Sequence, residues 1–106
     1  MVYYFITVFW PSHKGPDIAK ASFQSQKKFP DDGSLGKYLV YGAAIPSEQC
    51  TRSLSVFEPI QGKERDAMMW LTKRLYLYQL IEGVTYKLEI AATYDEALEI
   101  AGIKRE

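Results

Sequence analysis

The alternation of apolar and polar positions divides the chain into short strands and helices. Val2–Trp10 is apolar on both faces: Val2, Tyr4, Ile6, Val8 and Trp10 share one, and Tyr3, Phe5, Thr7 and Phe9 share the other. β-Branched and aromatic residues at that density favour a strand, and two apolar faces predict a strand covered on both sides. Pro11 ends it. Gly15-Pro16-Asp17 predicts a helix start, with proline at the first helical position and an acid in the first turn. This helix is expected to run to about Phe29 on a weak apolar stripe of Ile18, Ala19, Ser22, Phe23, Gln26 and Phe29. Pro30-Asp31-Asp32-Gly33-Ser34 then breaks it.

Lys37–Ile45 reads as a second strand interrupted by Gly42, and Arg52–Glu58 as a third, joined to it through the loop Pro46–Thr51 as a hairpin. In the third strand, Leu54 and Val56 take one face, and Ser53, Ser55 and Phe57 the other. Lys63–Ile81 is the longest helical segment, its broad apolar face centred on Ala67, Leu71, Leu75 and Tyr78. Met69, Tyr76 and Leu80 gather on the opposite side, a second stripe that a helix buried on one side does not need, and Gly83 is the expected terminator. Val84–Ala92 alternates as a fourth strand. Thr93-Tyr94-Asp95-Glu96 fits a capping box opening a short helix, Tyr94–Ala101, with Gly102 and then Lys104 and Arg105 as its stop.

The order β-α-β-β-α-β-α predicts an α+β fold. It is a single ferredoxin-like domain over residues 1–106, with a four-stranded antiparallel sheet and an extra C-terminal helix. Right-handed crossovers would put both long helices on one face of the sheet and give the strand order 4-1-3-2. The other face of the first strand, with Tyr3, Phe5, Thr7 and Phe9, is then bare. Burying one aromatic side chain is worth roughly 1.5–3 kcal/mol, and monomers rarely leave several exposed side by side. A second copy is the simplest cover, since a two-fold dimer uses one surface twice. The expected partner is therefore the chain itself, as a homodimer or a higher even oligomer, with the Met69, Tyr76 and Leu80 stripe adding contacts.

The element order, the aromatic first strand YYFITVFW, the long helix Lys63–Ile81 and a last strand running into a capped helix resemble the dimeric α/β-barrel superfamily. The likeness is closest to its uncharacterised small single-domain members. It covers nearly the whole chain, but it is one of pattern and contains no diagnostic motif. It implies ferredoxin-like protomers whose sheets face each other. The superfamily includes cofactor-free monooxygenases, lactone isomerases, haem-dependent enzymes and ligand-sensing domains, so function is only loosely constrained.

Composition narrows the choice. The 106 residues are 47% hydrophobic, 25% charged and 14% aromatic, which suits one globular domain. Thirteen basic residues balance thirteen acidic ones, and the halves 1–53 and 54–106 carry only +2 and −2. A nucleic-acid binder would carry a basic excess. The third strand, RSLSVFEP, also lacks the basic-glycine-aromatic pattern of RNA-recognition sheets. No apolar stretch approaches the roughly 20 residues that span a bilayer, and Val2–Trp10 lacks the basic flank of a signal peptide. With Cys50 as the lone cysteine, no intramolecular disulfide can form, so a reducing, cytoplasmic setting is expected, without membrane or nucleic-acid partners.

Candidate chemistry is expected on the bare sheet face. Tyr3, Phe5, Phe9, Ser55 and Phe57, rimmed by Lys87 and Glu89, would hold a small apolar or aromatic ligand. Thr7, Ser53 and Thr85 complete that face. The same residues could equally form a solid dimer core with a polar rim. Lys87 and Glu89, two apart on a strand, could pair there or serve as a solvated edge that discourages aggregation. The alternative is a cofactor-free monooxygenase or isomerase acting on a small organic molecule, with His13 as acid or base, Tyr3 as donor and Arg52 as anion holder. No cofactor is expected. One histidine and one cysteine, without clustered carboxylates, make no metal site, and His13 in its loop is a poor haem ligand. The turn Gly33-Ser34-Leu35-Gly36 is too short to cradle phosphate.

Overall fold

A computed structural model describes residues 2–103. The elements follow the expected order: β1 (Val2–Pro11), α1 (Gly15–Lys28), β2 (Gly36–Ile45), β3 (Cys50–Pro59), α2 (Glu64–Tyr76), β4 (Thr85–Ala92) and α3 (Tyr94–Ile100). A single 3₁₀ turn, Ser12–Lys14, joins β1 to α1, and another, Leu77–Leu80, extends α2. The strands form one antiparallel sheet in the order β2-β3-β1-β4, the expected 4-1-3-2 counted from the opposite edge. The architecture is α+β and compatible with the ferredoxin-like plan. Among the described residues no helix is long and apolar enough to cross a membrane.

The sheet is covered on one face. Tyr4, Ile6, Val8 and Trp10 of β1 are buried against Ala67, Leu71 and Leu75 of α2, as the i, i+4, i+8 spacing on that helix requires. The Tyr4 hydroxyl crosses the layer and donates to the Glu64 carbonyl, 2.8 Å away. Met69, Tyr76 and Leu80, the second stripe, are exposed as the pattern predicted.

Three expectations are corrected. In β3 the face assignment is inverted. Phe57 lies opposite Tyr4, Ser55 opposite Ile6 and Ser53 opposite Val8, so all three point toward the helices, and Phe57 is 1% exposed in the core. The α-helix expected to reach Ile81 ends at Tyr76 and tightens into the 3₁₀ turn, leaving Gly83 in the following turn. In α1 the inward residues are small: Ala21 and Ser25 are buried, whereas Phe23, assigned to the apolar stripe, is 71% exposed. The stripe was weak because this helix approaches the sheet with alanine and serine.

Local signals account for the remaining boundaries. Both halves of the capping box at α3 form: Glu96 N–H donates to Thr93 Oγ1 and Thr93 N–H donates to the Glu96 carboxylate, each at 3.2 Å. The expected stop at Lys104 and Arg105 lies outside the described residues. β2 breaks register with β3 between Tyr38 and Ala43. Gly42 takes a left-handed φ of 64° there and donates its N–H to Ser55 Oγ at 2.9 Å, a bulge stitched by a side chain instead of a ladder bond.

Candidate functional site

Two surfaces carry chemistry: the uncovered sheet face and a cavity between the layers. On the uncovered face, register aligns the side chains in rows. Val40, Val56, Phe5 and Glu89 form one row, Ala43, Leu54, Thr7 and Lys87 the next, and Ile45, Arg52, Phe9 and Thr85 the third. Phe5 is 37% exposed, and Val40 and Ile45 are more open still. An apolar band therefore runs from β2 across β3 to β1, with Lys87 and Glu89 at the β4 edge. Tyr3, Phe5, Phe9, Lys87 and Glu89 sit on this face as expected, and Leu54 and Val56 take the places expected for Ser53, Ser55 and Phe57.

The residues considered as a catalytic group are spread out. Arg52 pairs across from Phe9, six residues along β1 from Tyr3. At about 3.3 Å per residue that separates them by roughly 20 Å. His13 is exposed in the 3₁₀ turn after β1. Cys50 is free and exposed at the start of β3, where its carbonyl accepts a hydrogen bond from Ser47 Oγ. Among the described residues no cluster of His, Cys, Asp and Glu could hold a metal.

The cavity was not anticipated from the sequence. It measures about 320 Å³ and lies on the helix side, under α1. Its floor is Ile6 and Val8 of β1 with Ser53 and Ser55 of β3. Leu71, Arg74 and Leu75 of α2 make one wall, and Tyr38, Tyr41 and Gly42 of bulged β2 make another. Ser22 and Ser25 of α1 form the roof. The void exists because small residues meet there: serines on β3 face serines on α1, and the β2 bulge draws that strand out of regular pairing.

Its polar groups are held firmly. Arg74 is 4% exposed. Its Nε donates to the Phe29 carbonyl at 2.8 Å, its Nη2 to Asp31 Oδ1 at 3.0 Å and its Nη1 to the Tyr38 hydroxyl at 3.5 Å. Its guanidinium also stacks on Trp70. Burial pushes the Tyr38 phenol up to about 12, against the opposing pull of Arg74. Burial likewise raises Tyr78, although Ser22 and Ser25 hydrogen bonds oppose it. Both phenols are therefore protonated near neutrality. The Tyr41 hydroxyl accepts from Gln26 Nε2 at 2.8 Å, which leaves its own proton to donate. None of the described residues lining the cavity is acidic or a histidine.

Arg74 was the one signal the sequence offered for this site. It stands seven residues from Ala67, in the middle of the apolar face of α2, where a charge needs buried partners. The cavity itself depends on contacts between elements far apart in the chain. No protein-family model matches this chain, and no curated protein does either.

Proposed function

We propose that the chain is a small-molecule-binding domain that holds its ligand in the cavity under α1 and pairs with a second copy through its uncovered sheet face. The observation that carries this is the cavity itself. It is a void of about 320 Å³ with apolar walls and a few anchored hydroxyls, at the lower end of the size range of small-molecule sites. The ligand lies on the helix side of the sheet, not on the face where the aromatics of β1 stand.

Self-pairing is supported by the apolar rows on the other face. A two-fold pair of such sheets is the arrangement of the dimeric α/β-barrel superfamily, which the element order resembles. Binding is favoured over catalysis because Arg52 of β3 pairs across from Phe9, far along β1 from Tyr3. The exposed, unpaired Cys50 suits a reducing, cytoplasmic setting.

Native mass spectrometry of freshly purified protein tests both parts. The expected result is a dimer of the 12.2 kDa chain that retains a small molecule, lost in Ser53→Leu, which fills the cavity floor. A monomer would overturn the pairing. Ligand retained by the filled variant would overturn the cavity assignment.

A further inference from the structure

Among the described residues that line the cavity, Arg74 is the one charged group and the other polar side chains are serine and tyrosine hydroxyls, which restricts what can occupy it. Arg74 has only protons to offer. Tyr38 and Tyr41 already accept hydrogen bonds and have O–H groups left to give. Ser25 Oγ donates to the Ser22 carbonyl at 2.9 Å. A ligand that donates would find only hydroxyl oxygens to accept from it, and a cation would meet the Arg74 guanidinium, whose Asp31 partner at 3.0 Å is not part of the lining.

The charge balance points the same way. Asp31, the ion-pair partner of Arg74, is 84% exposed on its side chain, whereas that of Arg74 is 5% exposed. Water screens the carboxylate while the guanidinium is almost wholly buried, so the pair is unevenly screened, and the cavity lining keeps the cationic partner without the anionic one. The Tyr38 hydroxyl stands beside Nη1 at the cavity wall, so two donors converge on one position. Away from these two groups, Ile6, Val8, Leu71 and Leu75 supply hydrocarbon, and the serines of α1 and β3 with Tyr41 and Tyr78 supply hydroxyls.

We infer that the cavity takes a small acid with an apolar body, bound as its carboxylate, the head received by Arg74 Nη1 and the Tyr38 hydroxyl and the body lying over Ile6 and Leu71. This rests on the ligand-binding proposal above and adds the class of ligand. The head gains charge-assisted hydrogen bonds that a neutral carbonyl or alcohol cannot make. At this volume the body is a single ring or a short branched chain.

The test uses the full chain and three matched probes, benzoate, benzyl alcohol and benzylamine, titrated calorimetrically near neutral pH. Benzoate is expected to bind at least ten-fold more tightly than benzyl alcohol, and benzylamine weakest of all. Tyr38→Phe should lower benzoate affinity several-fold and leave benzyl alcohol unchanged. Because Tyr38→Phe keeps the ring packing, it decides the matter even if Arg74→Lys proves too unstable to measure. Benzoate and benzyl alcohol binding equally would overturn the carboxylate assignment while leaving the cavity a binding site. Benzoate binding undiminished in Ser53→Leu would place the acid elsewhere and overturn the inference. Binding of no probe would overturn the cavity proposal together with it.

Discussion

The guanidinium of Arg74 lies 4.1 Å over the ring of Trp70, four residues earlier on the same helix. Stack, ion pair and the bond to the Phe29 carbonyl converge on one side chain that is almost wholly buried. Arg74→Ala is expected to cost about 3 kcal/mol, since it orphans a carbonyl and empties a packed position. Asp31→Ala should cost under about 1 kcal/mol, because that carboxylate stands in water. Urea unfolding of the two variants checks the contrast, and equal losses would shift the credit to the surface ion pair.

Gly36 opens β2 against the end of β3. Its φ of 151° is one that side-chain-bearing residues avoid, and a Cβ there would sit 2.2 Å from the Glu58 carbonyl oxygen. Gly36→Ala is expected to lose about 3 kcal/mol, whereas Gly33→Ala, which meets nothing, should be near neutral. Thermal melts of both variants would reveal an error here as similar midpoints.

The buried phenols set an alkaline limit. Tyr38 titrates near 12 in the folded chain and near 10 when unfolded. Between those values the unfolded state has released a proton that the folded state keeps, so stability falls as pH rises from 10 to 12. Tyr4 and Tyr78, also raised by burial, act in the same direction. Tyr38→Phe should flatten part of this slope in denaturant titrations. An unchanged slope would mean that Tyr38 ionises freely in the native state.

Acid should loosen the cap of α3. Hydrogen bonds from Thr93 hold the Glu96 carboxyl below its ordinary 4.5. The cap therefore contributes fully above that value and is lost as pH drops through the lower folded value. Thr93→Ala should mimic this at neutral pH, costing about 1 kcal/mol. Since α3 buries no residue, faster amide exchange should be confined to Tyr94–Ile100. Exchange rising throughout the sheet would contradict it.

Phe5→Lys places a charge in the middle of the uncovered sheet face. The wild-type chain is expected to sediment at about twice 12.2 kDa, and this variant at the mass of one chain with an unchanged circular dichroism spectrum. A wild-type monomer would leave the apolar rows without their proposed cover.

Much of the fold was legible because single elements declared themselves. Val2–Trp10 could only be a central strand, and Thr93 and Glu96 marked the start of α3 to the residue. In β3 the parity was legible too, with Leu54 and Val56 on one side and Ser53, Ser55 and Phe57 on the other. Which set faced the helices was not. That choice is made by register against β1, where Phe57 meets Tyr4, and a period of two cannot express it. The cavity was hidden for a related reason. It is built from what Ser22, Ser25, Ser53 and Ser55 fail to fill, and small side chains leave a faint pattern.

The same strand has a consequence for how this protein can change. Successive residues of β3 face opposite ways, so the proposed inter-subunit role of Leu54 and Val56 is interleaved with the proposed ligand role of Ser53 and Ser55. Substituting either serine would resize the chamber without altering a side chain on the opposite face. Substituting Leu54 or Val56 would alter the uncovered face and spare the chamber. The two faces of the sheet are thus separately tunable within a few consecutive codons, a property that suits the scaffold to diversification and to redesign.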